Sequence, residues 1–406
     1  MDGAGAAPLE SVFSSAAGGR RATSPTKQVT VVMNGVTGRM GYHQHLARSI
    51  LAIRQQGGVD LGGGERVQVE PVLVGRNAVR LEEIAARHGG LRFTTRLDEA
   101  LEDDDAQIYF DAQVTSAREE GIRAAIAAGK HVYTEKPLAS SLDGALELAR
   151  AARAAGVKNG VVHDKIYLPG LLKLHRLVES GFFGRILSVR GEFGYWVFEG
   201  NWQEAQRPSW NYRVEDGGGI VLDMFCHWRY VLENLFGPVQ AVTARAATHI
   251  PVRYDEQSAR YDATADDAAY AIFEIDGGIV AQINSSWCVR VDRTELMELQ
   301  VDGTEGSAVA GLRNCKVQHR CATPLAVWNP DLPDPVDYRA AWSPVPDNLV
   351  FDNAFKVQWE QFIRHVVADE PHPHDFLSGA RGTQLAEAGK RSSAEGRRIE
   401  LPELVL

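Results

Sequence analysis

Cysteine is scarce. The 406-residue chain has 4, at Cys226, Cys288, Cys315 and Cys321. So few, so widely spaced, do not build a disulfide framework and fit a reducing cytoplasm. Positive charge is also short. Lys and Arg total 43 against 53 Asp and Glu, a formal net charge of -10. The broad basic field that nucleic acid or an anionic bilayer requires is therefore missing. No apolar run is long enough to span a membrane, and no block repeats at a solenoid period. What is present is ordinary for a globular chain: 44% hydrophobic and 24% charged residues, enough for a large core. The length suits two domains.

The first residues are rich in Gly, Ala and Ser. Arg20-Arg21 resembles a twin-arginine export pair, but 22–28 is polar and holds a proline where such a signal needs an apolar stretch. Residues 1–27 therefore read as a disordered tail. From Val29 the spacing predicts strands over 29–33, 67–74, 106–110, 131–134 and 157–163. Helices are predicted over 40–55, 81–88, 119–128 and 142–155, and a glycine-rich surface loop over 57–64. Short connections between alternating strands and helices indicate an α/β, doubly wound parallel sheet over 28–160. The remainder, 161–406, changes texture. Longer strands are predicted over 187–195, 239–247, 268–274, 279–287, 294–301 and 307–312. Hairpin turns fall at Asp276-Gly277-Gly278 and Asp302-Gly303. This is a mostly antiparallel α+β domain. A proline-rich loop over 324–348 precedes helical spacing over 351–368 and 378–395, and the last helix is free to pack back on the first domain.

Asn34-Gly35-Val36-Thr37-Gly38-Arg39-Met40-Gly41 follows the first strand and opens the first helix. Glycines there let the backbone approach a pyrophosphate, and the helix end offers free N–H groups. Gly35, Thr37, Gly38, Arg39 and Met40 are thus candidate cofactor ligands. The second strand ends Val74-Gly75-Arg76-Asn77, with no carboxylate for a ribose hydroxyl pair. Arg76 could pair with a 2′-phosphate, so the NAD(P) site leans to NADP; an arginine stacked loosely on adenine would serve NAD.

Two clusters carry chemistry. Glu135-Lys136-Pro137 closes a predicted strand, where ligands of such sheets bind, and the proline suits a cis bond that aims Lys136 inward. Lys136 could polarise a reacting hydroxyl; an ordinary salt bridge with Glu135 is the alternative. Gly217-Gly218-Gly219 then leads into an apolar helix with Asp223 and His227 four residues apart on one face. Imidazole suits proton removal from an alcohol. The pair lacks a third metal ligand, so no metal is expected. Cys315, His319 and Cys321 lack a fourth ligand and read as coincidence, and His372-Pro373-His374-Asp375 as a solvated loop. Tyr195, Trp196, Phe198, Trp202, Trp210 and Tyr212 crowd the segment before the glycines and could stack on sugar faces. Arg207 and Arg213 could bind an anion.

In order and separation, Gly35 to Gly41, Glu135-Lys136-Pro137 and Gly219-x-x-x-Asp223-x-x-x-His227 resemble the three signatures of the Gfo/Idh/MocA oxidoreductase family. Ala127 to Val132 and Pro208 to Arg213 resemble it too, so the likeness runs from Val29 to Gly306. The resemblance implies a Rossmann domain and an open-sheet domain that forms the substrate site and often an oligomer face, here a homodimer or homotetramer. It implies Lys136 beside the nicotinamide, Asp223 positioning substrate and His227 as general base, with Thr115 and Glu135 joining the cofactor set. Family substrates are sugars, cyclitols and their derivatives. Two departures stand out. Thr37-Gly38-Arg39-Met40-Gly41 looks more like dihydrodipicolinate reductase, a shorter enzyme whose His-His signature is missing here. The strand after Glu-Lys-Pro leads to His163-Asp164-Lys165, a charged triplet that either reads substrate hydroxyls or lies outside the site. With Tyr195, Trp210 and Arg213, the triplet makes the candidate substrate set. The expected function is hydride transfer between a nicotinamide and a secondary alcohol of a sugar, glycoside or cyclitol. The rivals are a glycoside hydrolase or lyase that recycles its cofactor, and a non-catalytic dinucleotide-binding regulator.

Overall fold

A computed structural model describes residues 27–406. The amino-terminal tail with Arg20-Arg21 lies outside the described residues. β1 (Lys27–Asn34) carries Val29, Val31, Val32 and Met33, all buried. Thr30 among them is buried too, and successive buried residues mark a strand covered on both faces. β3 (Glu65–Val74) and β5 (Ala106–Asp111) flank it in parallel. β6 (His131–Thr134) and β7 (Asn159–Val161) continue beyond β5, and β4 (Arg92–Thr94) pairs with β3. The chain goes from β1 to one side for β3 and to the other for β5, and a crevice opens at the strand ends where the order reverses.

One local expectation fails. The glycine-rich 57–64 is not a plain loop: β2 (Val59–Gly62) pairs antiparallel with β3. Val59 is fully buried, and Gly62, Gly63 and Gly64 take φ of +84°, +60° and +88°, a tight reversal open to glycine. The glycines that mask the strand periodicity are the turn that makes the hairpin.

The second domain is a nine-stranded sheet in the order β17-β16-β15-β14-β8-β13-β12-β9-β18. Its strands are β8 (Ile186–Gly194), β9 (Val239–Ala247), β12 (Ala268–Ile275), β13 (Ile279–Ser286), β14 (Met297–Gly303), β15 (Gly306–Ala310), β16 (Cys315–His319), β17 (Ser343–Pro344) and β18 (Ile399–Glu400). β10 (Val252–Tyr254) and β11 (Arg260–Asp262) form a separate ribbon. All pairs in the large sheet are antiparallel except β13 with β8, so the mostly antiparallel expectation holds. One face packs helices through Phe225, Trp228, Phe273, Ile283 and Leu299. The other leaves Tyr270, Ile272 and Val280 41–45% exposed.

Two carboxy-terminal helices tie the halves together. Ala354–Ala368 buries Trp359, Phe362 and Ile363 in the same cluster as β1 and β3. Phe376–Glu395 lies against helices Ile220–Phe236 and Leu142–Ala155 and against β9.

Candidate active site

A cleft of ≈ 380 Å³ opens between the two domains. One end is the glycine loop. Gly35 has φ +79°, and a Cβ there would stand 2.7 Å from the Ala112 backbone; at Gly41 it would stand 2.6 Å from the Gly35 carbonyl oxygen. Only glycines allow β1, the loop and the strand-end after β5 to close this tightly. Gly38, Arg39, Met40 and Thr115 line this end, and Glu135 and Lys136 line the middle. The donor set fits a dinucleotide running from the loop toward Lys136. Arg76 is exposed beyond this cleft, and Asn77 beside it caps helix Ala78–Arg87 by accepting from the Arg80 N–H. No carboxylate stands at that turn.

Glu135 is held from both sides. Its Oε1 faces His45 Nε2 at 2.8 Å, and its Oε2 accepts the Lys136 N–H at 3.0 Å. The Trp359 indole N–H donates to His45 Nδ1 at 3.0 Å. With Nδ1 accepting, the His45 proton sits on Nε2 and points at the carboxylate. Burial by itself would raise the Glu135 carboxyl, but His45, Lys136 and Arg118 outweigh it and hold it below the usual range. The Lys136-Pro137 bond is cis.

Lys136 reaches across the cleft to Asp223, donating to its carboxylate and, at 3.2 Å, to its backbone carbonyl. Asp223 lies in the first turn of helix Ile220–Phe236, where the helix end favours negative charge. The three glycines set that entry. A Cβ at Gly218 would meet the Asn211 and Trp210 carbonyl oxygens at 2.6 Å, and Gly219 has φ +110°. Asp266 closes the end by accepting the Val221 N–H at 2.7 Å. Arg207 supplies a second cation. Its Nη1 lies 3.3 Å from Asp223 Oδ2, its Nε donates to the Tyr195 hydroxyl at 3.1 Å, and its guanidinium stacks on Trp287 at 4.4 Å. Burial opposes the Asp223 charge, yet Lys136 and Arg207 overcome it and hold the carboxyl far below its ordinary value. Burial likewise works against the Lys136 charge, but Asp223 and Glu135 overcome it and hold the amine above its usual value. Lys136 therefore stays an ammonium.

One turn on, His227 is 4% exposed and lines the cleft. Burial, then Lys165, Lys136 and His163, push it well below 6.5, so it is neutral near pH 7. Its Nδ1 lies 2.6 Å from the Tyr230 hydroxyl, which in turn lies 3.2 Å from Asp164 Oδ1. Lys165 Nζ donates to Asp164 Oδ2 at 3.3 Å. A permanent ammonium thus faces a neutral imidazole across one cleft, an arrangement in which the first can stabilise negative charge and the second can accept a proton.

Of the candidate substrate set, Asp164, Lys165 and Trp210 line the cleft. Tyr195 stands behind Arg207. Arg213 stacks on Tyr261 at 4.7 Å, away from the lining. His163 is buried, face to face with Tyr230 at 4.1 Å. Cys315 is buried and Cys321 exposed, and among the described residues no cluster of His, Cys, Asp or Glu is suited to a metal. His374 is buried rather than solvated: it contacts His163 Nδ1 and the Tyr167 hydroxyl. Sequence reasoning missed Tyr230, although it lies three residues from His227 on the same helix. It missed His45 altogether, and nothing local marks it.

Comparison with known proteins agrees in both domains. Residues 29–163 match the family described as "Oxidoreductase family, NAD-binding Rossmann fold", and residues 171–309 match "GFO/IDH/MocA C-terminal domain". A D-xylose dehydrogenase of Paenarthrobacter nicotinovorans is 58% identical over 385 residues, 94% of this chain and 99% of that protein. A 1,5-anhydro-D-fructose reductase of Ensifer adhaerens is 28% identical over 272 residues, 66% of this chain and 74% of that protein. A levoglucosan dehydrogenase solved with NADH and L-sorbose superposes with TM-score 0.76 over 92% of this chain and 99% of its own, at 21% identity, a likeness of fold.

Proposed function

Because the chain belongs to the Gfo/Idh/MocA oxidoreductase family and is a nicotinamide-dependent sugar dehydrogenase, we propose that it oxidises a CH–OH carbon of D-xylose or a closely related sugar. The observation that carries the substrate is the near full-length 58% identity to a D-xylose dehydrogenase. In this reading Gly35, Thr37, Gly38, Arg39, Met40, Thr115 and Glu135 hold the dinucleotide. Accepting or returning a hydride is the chemistry a bound nicotinamide supplies. The chain does the rest. The sugar hydroxyl lies between Lys136 and His227. His227 removes its proton, and the Lys136 ammonium stabilises the negative charge that grows on oxygen. Asp223, fixed by Lys136 and Arg207, orients the sugar. Asp164, Lys165 and Trp210 meet its other face.

NADP is favoured over NAD, because the turn after β3 offers Arg76 and no carboxylate. We further assign the outer face of the second sheet as the contact of a homodimer or homotetramer, since Tyr270, Ile272 and Val280 stand exposed there. The test is net formation of reduced nicotinamide with each cofactor against D-xylose and a sugar panel. His227→Ala and Lys136→Ala are each expected to lose on the order of 10²-fold or more in kcat. Arg76→Ala is expected to lower kcat/KM about tenfold with NADP and not with NAD. No net reduced cofactor with any sugar would sink the dehydrogenase reading.

A further inference from the structure

The hydrogen-bond order behind His227 can be worked out from what each group can donate. Asp164 as a carboxylate only accepts, so the Tyr230 O–H, 3.2 Å from its Oδ1, donates to it. A hydroxyl has one proton. The Tyr230 oxygen must then accept from its remaining neighbours: the Lys165 backbone N–H at 3.2 Å and His227 Nδ1 at 2.6 Å. His227 therefore carries its proton on Nδ1. That leaves Nε2 with a lone pair as the nitrogen available to a substrate in the cleft. The chain is buried: Tyr230 is 6% exposed, Asp164 8% and His227 4%. His163 stacked on Tyr230 holds the phenol ring in place.

We propose that Tyr230 and Asp164 are positioning residues for the reaction. They fix the Nδ1–H tautomer of His227 and balance the charge His227 acquires. When the sugar O–H proton moves to Nε2, the electron pair of the carbinol C–H bond leaves with its hydrogen to the nicotinamide, and the carbon–oxygen bond becomes a carbonyl. His227 is then an imidazolium, 3.7 Å from Asp164 Oδ1 and joined to it through the Tyr230 hydroxyl. No proton need pass along the chain. Removing the phenol oxygen leaves Nδ1–H with no acceptor. The ring then gains by moving its proton to Nε2, which blocks the base. Tyr230 is not part of the cleft wall, so its loss removes no substrate contact.

This inference rests on His227 being the base, and the experiment separates the two ideas. Steady-state kinetics of the whole enzyme with D-xylose would compare wild type, Tyr230→Phe, His227→Ala and the double variant. Tyr230→Phe is expected to lower kcat about tenfold or more with the KM values for sugar and cofactor unchanged. It should move the acid limb of the kcat/KM profile to lower pH, because the imidazolium loses its link to Asp164. The other groups facing His227, namely Lys136, His163, Lys165, Arg207 and Asp223, are the same in both proteins. In the His227→Ala background the Tyr230→Phe change is expected to cost nothing more. A Tyr230→Phe enzyme with wild-type kcat and acid limb overturns the inference, and so does an equal loss in both backgrounds. Full activity in His227→Ala would overturn the base assignment itself. Should Tyr230→Phe not fold, the ¹⁵N spectrum of histidine-labelled wild type decides, with the His227 signals identified from their loss in His227→Ala. Protonated Nδ1 supports the proposal and protonated Nε2 overturns it.

Discussion

Lys136, Asp223 and His227 owe their charge states to partners that folding brings in from elsewhere in the chain. A sequence does not reveal that Arg207, sixteen positions before Asp223, returns through an irregular loop to share its carboxylate. Nor does it reveal that burial and Lys165 together keep His227 neutral. This has a consequence for pH. A base must be deprotonated, so with His227 as the proposed base activity is expected to be lost as pH falls through its value, which lies below 6.5. The acid limb of kcat/KM for sugar oxidation is expected below pH 6.5. Lys165→Gln removes a cation that opposes the imidazolium, so His227 rises and the limb moves to higher pH. A pH profile with an unmoved limb would show that Lys165 does not set the base. Arg213 illustrates the opposite case: a charged residue in a promising segment that the fold spends on a tyrosine face.

At the scale of elements, the charged segment after β7 gets its meaning from a helix residue 195 positions away in the chain. Gln358, on helix Ala354–Ala368, accepts the His163 N–H at 2.7 Å and the Tyr133 hydroxyl at 3.1 Å. Beside it, His163 and His374 meet Nδ1 to Nδ1 at 3.2 Å, and His374 Nε2 faces the Tyr167 hydroxyl at 3.0 Å. Tyr167 donates to Gln361 Oε1, so it accepts from His374, and His374 accepts from His163. His374, which accepts on Nδ1 and donates from Nε2, must be neutral. Burial takes His374 down to about 4 and His372, with neither ring nitrogen partnered, down to about 3. Above pH 6.5 neither folded nor unfolded chain protonates them. As pH falls below 6.5 the unfolded chain takes up protons that the folded one refuses, and stability drops until the folded values are reached. For His374 alone the loss by pH 4 is on the order of 3 kcal/mol. Thermal unfolding from pH 7 to 4.5 should show a falling midpoint, and His374→Gln should flatten the fall. An equally steep fall in that variant would place the acid lability elsewhere.

Over the whole molecule, the site exists only because two sheets of different construction meet. The Rossmann half presents its strand ends, and the second half presents the start of helix Ile220–Phe236 against them. Helices Ala354–Ala368 and Phe376–Glu395 hold the halves in register, the first through Trp359 and His45 directly behind Glu135. The second sheet covers one face with helices and leaves the other to solvent or a partner. Light scattering is expected to give a dimer or tetramer, and Ile272→Glu, placing a charge on that face, is expected to yield smaller species with the cleft intact. A monomeric wild type would remove the assembly assignment.

What the sequence determined by itself was everything with short range. The alternation of strand and helix, the glycine loop, the cis-prone Lys-Pro pair and the i, i+4 spacing of Asp223 and His227 are dictated by backbone sterics and periodicity within a few residues. The tertiary structure decided what depends on distance in space. It set which cations share Asp223, which nitrogen of His227 is free, that His374 is buried, and that a glycine-rich stretch pairs as a strand. Burial and Coulomb interactions act between groups that folding brings together, and no local pattern in the chain records which groups those are.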